Sequence, residues 1–267
     1  MAMTPNPVIE GPAPLGLRYG LFTAATGPLS IEDTIGEHAL GSGVTYKPTT
    51  CGNARRYPIE CVDGETPTEK TFDAPDEYVD TDAFVVYASW ECQSVGQTPG
   101  QLETSVRQRL ANGEQNGAEA GLAAQLAAAA TPLVADDPDS LRVTFGELEQ
   151  WLYGVDSAGY GNVGFLHAPA RFAAAAMGSG VVRLDGRVWK TAMGTIVIFG
   201  GGYPDDGRIY ISGQVTVWRA DDILVPPARE VFNHTTNTYQ LLAEREYIVG
   251  YDCVAASVVY TGGFPSS

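Results

Sequence analysis

Three histidines, four cysteines, a triple glycine and a set of helix-borne carboxylates are the groups that could do chemistry in this 267-residue chain. His38, His167 and His234 would act as general bases beside a nucleophile, yet the chain holds no GxSxG elbow and no HExxH pair. His167 has the most suggestive setting, between a β-prone stretch and a Pro-started helix. A histidine that packs or caps carries the same signature, and that reading is preferred. Gly200-Gly201-Gly202 has the outline of a phosphate loop but is followed by neither Lys-Ser/Thr nor a helix, so it reads as a turn. Asp205-Asp206-Gly207 resembles a fragment of a calcium loop without the spaced carboxylates and the closing Glu. Glu114, Glu119, Glu147 and Glu149 could pair as acid and base only if folding brought them together, and they read as solvated helix faces. Glu244-Arg245-Glu246 reads as a polar interruption or an ion-pair site in a strand. No catalytic, cofactor-binding or metal-binding residue is expected.

Cys51, Cys61, Cys92 and Cys253 fit no zinc spacing, because neither CxxC nor a close Cys/His pair occurs. Cys51 and Cys61 are the pair able to close a short loop, a link worth roughly 2–3 kcal/mol in an oxidising medium; free thiols are the alternative. A formal charge of -16 argues against a surface built to neutralise phosphates, so sequence-specific nucleic-acid binding is not expected. Between Glu60 and Glu91 nearly every charge is a carboxylate, which predicts a solvated, self-repelling stretch. No run of eighteen apolar residues occurs and the opening MAMTPNPVIEGPAPLG lacks the features of a secretory signal, so a soluble protein made in the cytoplasm, without membrane contact, is expected.

Around these residues the periodicity predicts the elements. The Pro-, Gly- and Thr-rich first hundred residues cannot form a core alone; 82–91 reads as a strand and Cys51 to Tyr78 as a long extended loop. Leu102, Val106, Leu110, Ala118, Leu122 and Leu126 recur at steps of four or eight, predicting a long helix from Thr98-Pro99 to Thr131-Pro132. Gly113, Gly117 and Gly121 on that helix either admit a close neighbour or mark a break. A second helix is expected over Phe145 to Tyr153 with Thr144-Phe145-Gly146-Glu147 as its capping box, then a strand at Val163 to Leu166 and a helix ending at Gly178. Asp185-Gly186 is the expected hairpin turn and Thr195 to Phe199 a buried strand. Arg208 to Arg219 and Tyr239 to Tyr260 read as β segments far longer than usual, which must bend, pair along a shared sheet or extend beyond the subunit.

This order resembles the α+β Hong Kong 97-like capsid fold of tailed bacteriophages and encapsulins, over nearly the whole chain. The closest local matches are Phe165-Leu166-His167-Ala168-Pro169, Met193-Gly194-Thr195-Ile196-Val197, and Ala243 through Gly250. The resemblance implies an N-terminal arm (1–43), an extended loop (44–90), a peripheral domain with a long spine helix (91–134 and 206–267) and an axial domain (135–205). It implies a major capsid protein that self-assembles as hexamers and pentamers into an icosahedral shell around double-stranded DNA, located in the virion and assembled in the host cytoplasm. Scaffolding, portal and decoration proteins are further expected partners; no cofactor is implied. Some members crosslink a loop lysine to a neighbour's asparagine, and Lys47 and Lys70 lie in the corresponding loop, but nothing identifies the asparagine. An encapsulin-like compartment, another virion component, and a hydrolase with a site near His167 are the alternatives.

Overall fold

A computed structural model of the chain describes residues 17–47, 79–93, 98–226 and 232–262. The first part comprises α1 (Leu21–Ala24), β1 (Thr26–Ser30), α2 (Ile31–Thr34), a 3-10 turn at Glu37–Ala39, β2 (Val44–Tyr46), β3 (Val79–Thr81) and β4 (Ala83–Gln93). Then come α3 (Pro99–Ala129), β5 (Thr131–Pro132), α4 (Leu141–Tyr153), β6 (Phe165–Pro169), α5 (Phe172–Gly178), β7 (Arg183–Asp185), β8 (Val188–Lys190) and β9 (Ile196–Gly200). The chain continues through β10 (Arg208–Ser212), β11 (Val215–Arg219), β12 (Phe232–Asn233), β13 (Thr238–Tyr251) and β14 (Ala255–Val259).

The long helix begins where its local chemistry directs. Thr98 Oγ1 accepts from the Gln101 amide at 3.4 Å while Gln101 Oε1 accepts from the Thr98 amide at 2.8 Å, a reciprocal capping box with Pro99 in the first turn. The 31 residues of α3 extend about 45 Å. All six apolar residues of the predicted stripe are buried, packed with Val217, Leu241, Tyr247 and Val249 of the first sheet. That sheet runs β1-β11-β13-β12, with β4 along the other side of β13. Residues 17–43, which the resemblance places in an arm, bring β1 to this sheet and bury Leu21 and Ile31. β2 and β3 pair with each other as the base of the segment 48–78, which lies outside the described residues together with the extended loop expected there.

The glycines of α3 do not break it. A Cβ on Gly117 would collide with Val86, and one on Gly121 with the Phe84 ring, so these two positions let β4 lie close against the helix; Gly113 meets nothing within 4 Å. Val86 is buried, and Phe84, Ala88 and Trp90 pack on the same core, whereas Val85 and Tyr87 are exposed on the other face. This is the two-residue alternation of a strand with one side covered.

The second sheet runs β5-β14-β10-β6-β9-β8-β7. Its core is filled by Phe145, Leu148 and Leu152 of α4 and Phe172 of α5, against Leu166, Ile209, Ile211 and Val258. The expected boundary near residue 205 runs through this sheet, because β10 and β14 belong to it. Three local expectations are corrected. α4 starts a turn earlier than predicted, with Ser140 as the cap accepting from the Val143 amide at 3.5 Å, and Thr144 is buried inside the helix instead of capping it. The tight turn is Gly186-Arg187, one residue later than predicted, because Asp185 pairs with Val188; Gly186 takes the φ of 63° that a glycine tolerates. The strand expected at Val163 to Leu166 is shifted onward, so that His167-Ala168-Pro169 ends β6 itself.

The two long β segments bend, each contributing one strand to each sheet. β10 pairs with β14 in the second sheet and β11 with β13 in the first, so the segments form one antiparallel ribbon that crosses between sheets at Gly213-Gln214 and Asp252-Cys253-Val254. The crossing is held by Asp252 N–H donating to the Gln214 carbonyl at 2.9 Å and by Gln214 N–H donating to Tyr160 Oη at 2.9 Å. Cys253 adopts φ 59° at the bend.

Replacing Gly117 or Gly121 by Ala is expected to destabilise the fold by about 1–3 kcal/mol through overpacking against β4, while Gly113→Ala on the same helix stabilises it by up to about 1 kcal/mol. Urea unfolding of the three variants checks this contrast; equal effects at all three positions would contradict it.

Candidate functional site

His167 is buried at the centre of β6 and makes two side-chain hydrogen bonds. Its Nε2 lies 2.9 Å from Ser212 Oγ and its Nδ1 3.0 Å from Tyr203 Oη. A Ser–His contact of this length invites a nucleophile reading, but the protons run the other way. Ser212 Oγ donates its one hydrogen to the Gly213 carbonyl at 3.0 Å, so it accepts from Nε2–H, and Nδ1 accepts from Tyr203. Burial pushes the imidazole pKa down to about 3, so the ring is neutral, and His167, Tyr203 and Ser212 are all closed to solvent. The cluster is a satisfied polar knot joining β6 to β10, without room for a substrate.

The triple glycine receives a carboxylate from within the protein. Glu119, fully buried on α3, accepts from Leu21 N–H at 3.2 Å and from Gly202 N–H at 3.0 Å. Cβ atoms on Gly200 or Gly202 would run into Glu119, and one on Gly201 would crowd Asn116, so the glycines let this turn close over the helix. Burial raises the Glu119 pKa, and the amides of Gly202, Leu21 and Gly201 and the Gln115 side chain partly offset the rise. Gln115 Nε2 also donates to the Tyr19 carbonyl at 3.1 Å, fastening the chain just before α1.

Glu114 stands one turn beyond Leu110 on the buried stripe. Its Oε1 accepts from Arg219 of β11 at 3.2 Å, and its Oε2 from Arg245 at 3.1 Å and Tyr247 Oη at 2.8 Å, both of β13. Arg245 Nη2 donates onward to the Asp221 carbonyl at 3.1 Å. Burial and the adjacent Glu114 push the Tyr247 phenol upward. Glu149 on α4 takes Thr191 and Thr195 hydroxyls at 2.5 Å each, and Tyr153 Oη joins Thr195 to the Gly164 amide. Three of the four carboxylates expected on solvated faces therefore tie elements together: Glu114 and Glu119 are buried, and Glu149 is half-buried.

Cys51, Cys61 and Lys70 lie outside the described residues, and Lys47 is exposed at the end of β2. Cys253 is disulfide-bonded to a cysteine whose side chain lies outside them. Among the described residues no group of three or more His, Cys, Asp or Glu could hold a metal ion, and no helix is long and apolar enough to cross a membrane. Arg171 pairs with Asp205 at 2.5 Å and Arg208 N–H donates to Asp206 at 2.9 Å, so both aspartates of the calcium-like turn have partners.

No family model and no curated protein matches the sequence. The fold has solved counterparts. The capsid of an empty GTA particle superposes with a TM-score of 0.54 at 13% identity, over 97% of this chain and 95% of that one. The SrpI encapsulin of Synechococcus elongatus PCC 7942 gives 0.52 at 11% identity, over 98% and 96%, and a chain of Mycobacterium phage Che8 gives 0.51 at 11%, over 98% and 100%. The chain has the Hong Kong 97-like capsid fold.

Within the Hong Kong 97-like fold of this chain, the buried carboxylates act as internal fasteners, and the surfaces free to meet other molecules are strand edges and exposed apolar side chains. β4 pairs only with β13 among the described strands, so no described strand covers its other edge, while Arg109 of α3 donates to its Ser89 carbonyl at 2.7 Å. Such an edge is a template for another chain. The spacing of α3 contained a signal for Glu114, since the step of four from Leu110 lands on it before reaching Ala118. Glu119 likewise stands one turn before buried Leu122. Nothing local marks Ser212 as the partner of His167, because they lie on different strands, 45 residues apart.

Glu114→Ala should leave Arg219 and Arg245 facing each other without an anion and cost about 3 kcal/mol in urea unfolding; a loss below about 0.5 kcal/mol would show the cluster to be dispensable. His167 supplies a pH dependence. Its folded pKa lies below the unfolded value of 6.5, so its contribution is complete above pH 6.5 and is lost as pH falls toward about 3. Wild-type stability should drop relative to His167→Gln by up to about 1.4 kcal/mol per pH unit between pH 6 and 4. Parallel stability–pH curves for the two proteins would contradict this.

Proposed function

We propose that the chain is the major capsid protein of a double-stranded DNA bacteriophage, self-assembling as hexamers and pentamers into an icosahedral head shell. The observation that carries this reading is the end-to-end likeness to the capsid of a GTA particle, which accounts for nearly all of both chains. The interior supports it, since the Ser212–His167 contact is sealed and its protons point away from catalysis. In this reading the extended loop, expected at 44–90, overlies an adjacent subunit as far as β3, and β4 belongs to the first sheet. α3 with the first sheet forms the peripheral domain, and the second sheet with 135–205 forms the axial domain. The arm, 1–43, is anchored from Leu17 onward by Leu21 and β1. The net charge of -16 suits a container that must let DNA slide during packing, because a basic lining would hold it.

A second reading, an encapsulin-like compartment, is favoured by one observation: the SrpI encapsulin superposes almost as well, with a TM-score of 0.52 against 0.54. Negative-stain imaging of the purified protein should show closed shells of uniform diameter. Particles from the native source should then contain nuclease-protected double-stranded DNA; protein cargo in its place would select the compartment. A chain that stays monomeric at high concentration, with a turnover abolished by His167→Ala, would overturn both readings.

A further inference from the structure

The second sheet presents two unlike edges. At one end the β7–β8 hairpin projects Leu184, 45% exposed, with Arg187 exposed in its turn and Arg183 exposed at its foot, opposite Lys190. Asp185 pairs with Lys190 at 2.9 Å and is also attracted by Arg183, so the hairpin carries three cations to one carboxylate. The hairpin is thus a small basic, apolar projection on a chain with 32 acidic and only 16 basic residues.

At the opposite end, just after β5, a groove of about 380 Å³ runs between Leu133-Val134 and the last turns of α4. Its apolar lining includes Trp151 and two side chains of unusual exposure, Val134 at 93% and Val155 at 75%. Its charged groups are both acidic, Glu147 and Asp156, and Asp136 and Asp137 are exposed immediately beyond Val134. Exposed valines beside a half-buried tryptophan retain a transfer free energy that burial would release.

We propose that this groove receives the β7–β8 hairpin of a second copy of the chain, with Leu184 against Val134, Trp151 and Val155, and with Arg183 and Arg187 beside Glu147 and Asp156. The inference rests on the shell reading above and names the surfaces that join neighbours within a capsomer. β5 and β7 end the same sheet on opposite sides, so the contact is head-to-tail. Repetition of a head-to-tail contact closes into a ring when its rotation closes, as a hexamer or pentamer requires. The apolar tip and groove supply affinity, while the charges set register and reject the reverse docking, in which acid would meet acid.

Charge reversal tests the pairing on the full-length chain. Arg183→Glu with Arg187→Glu, and separately Glu147→Arg with Asp156→Arg, should each lower the yield of shells and capsomers by about tenfold or more, because like charges then face each other. Circular dichroism and melting of the unassembled variants should remain at the wild-type values, since all four side chains lie on the surface or its edge. Combining both sets in one chain should restore assembly, because every hairpin then meets a complementary groove. Wild-type assembly that persists in either reversal alone would overturn the pairing, as would failure of the combined variant to recover. A wild-type chain that forms no shells at all would overturn the capsid reading itself and this contact with it.

Discussion

A helix of 31 residues must lie flat against a strand ladder in this chain, and most of the remaining structure follows from how that contact is made. Helix and sheet can approach closely only where side chains yield, and Gly117 and Gly121 yield at the positions where Val86 and Phe84 arrive. Once seated, α3 carries two carboxylates into the interior. Burying a charge is costly unless its oxygens are satisfied. Glu114 is satisfied by two arginines and a tyrosine from β11 and β13, Glu119 by amides from α1 and the glycine turn. The costs of burial therefore become constraints: if any of these partners moves away, a buried oxygen loses its donor. The N-terminal segment, the first sheet and the turn after β9 are all registered against one helix.

A second constraint is the ribbon that crosses between sheets. β10–β14 and β11–β13 are the two halves of one antiparallel pair, so the sheets cannot separate without breaking the crossing at Gly213 and Asp252. The polar knot of His167, Ser212 and Tyr203 lies beside this passage, with Ser212 the last residue of β10. Its function is structural cohesion: three buried polar side chains satisfy one another where two apolar cores abut. A catalytic histidine needs access, and this one is closed to solvent.

The arrangement suits a subunit whose chemistry is assembly. Internal charges are spent on rigidity, and exposed features face outward: Val85 and Tyr87 of β4, the β7–β8 hairpin and the groove after β5. A rigid body with unlike edges can join copies of itself repeatedly in one sense, which a shell requires and an isolated enzyme does not.

Local pattern alone determined the span and cap of α3, its apolar stripe and the α+β order, because helical periodicity, a Thr-Pro start and a Gly-containing turn act within a few residues. The same locality explains the misplacement of the α4 start, since Thr144 has the form of a cap but is buried in the packing of Phe145 and Leu148 against the second sheet, and Ser140 caps the helix instead. Glu114 was legible as a break in the apolar stripe but not as the centre of an ion cluster, because Arg219 and Arg245 lie 105 and 131 residues away along the chain. The division of each long β segment between two sheets, the proton direction in the Ser212–His167 contact and the opposition of a basic hairpin to an acidic groove were decided by tertiary structure. Each depends on which distant strand lies alongside, and a linear pattern of residue types does not contain that information.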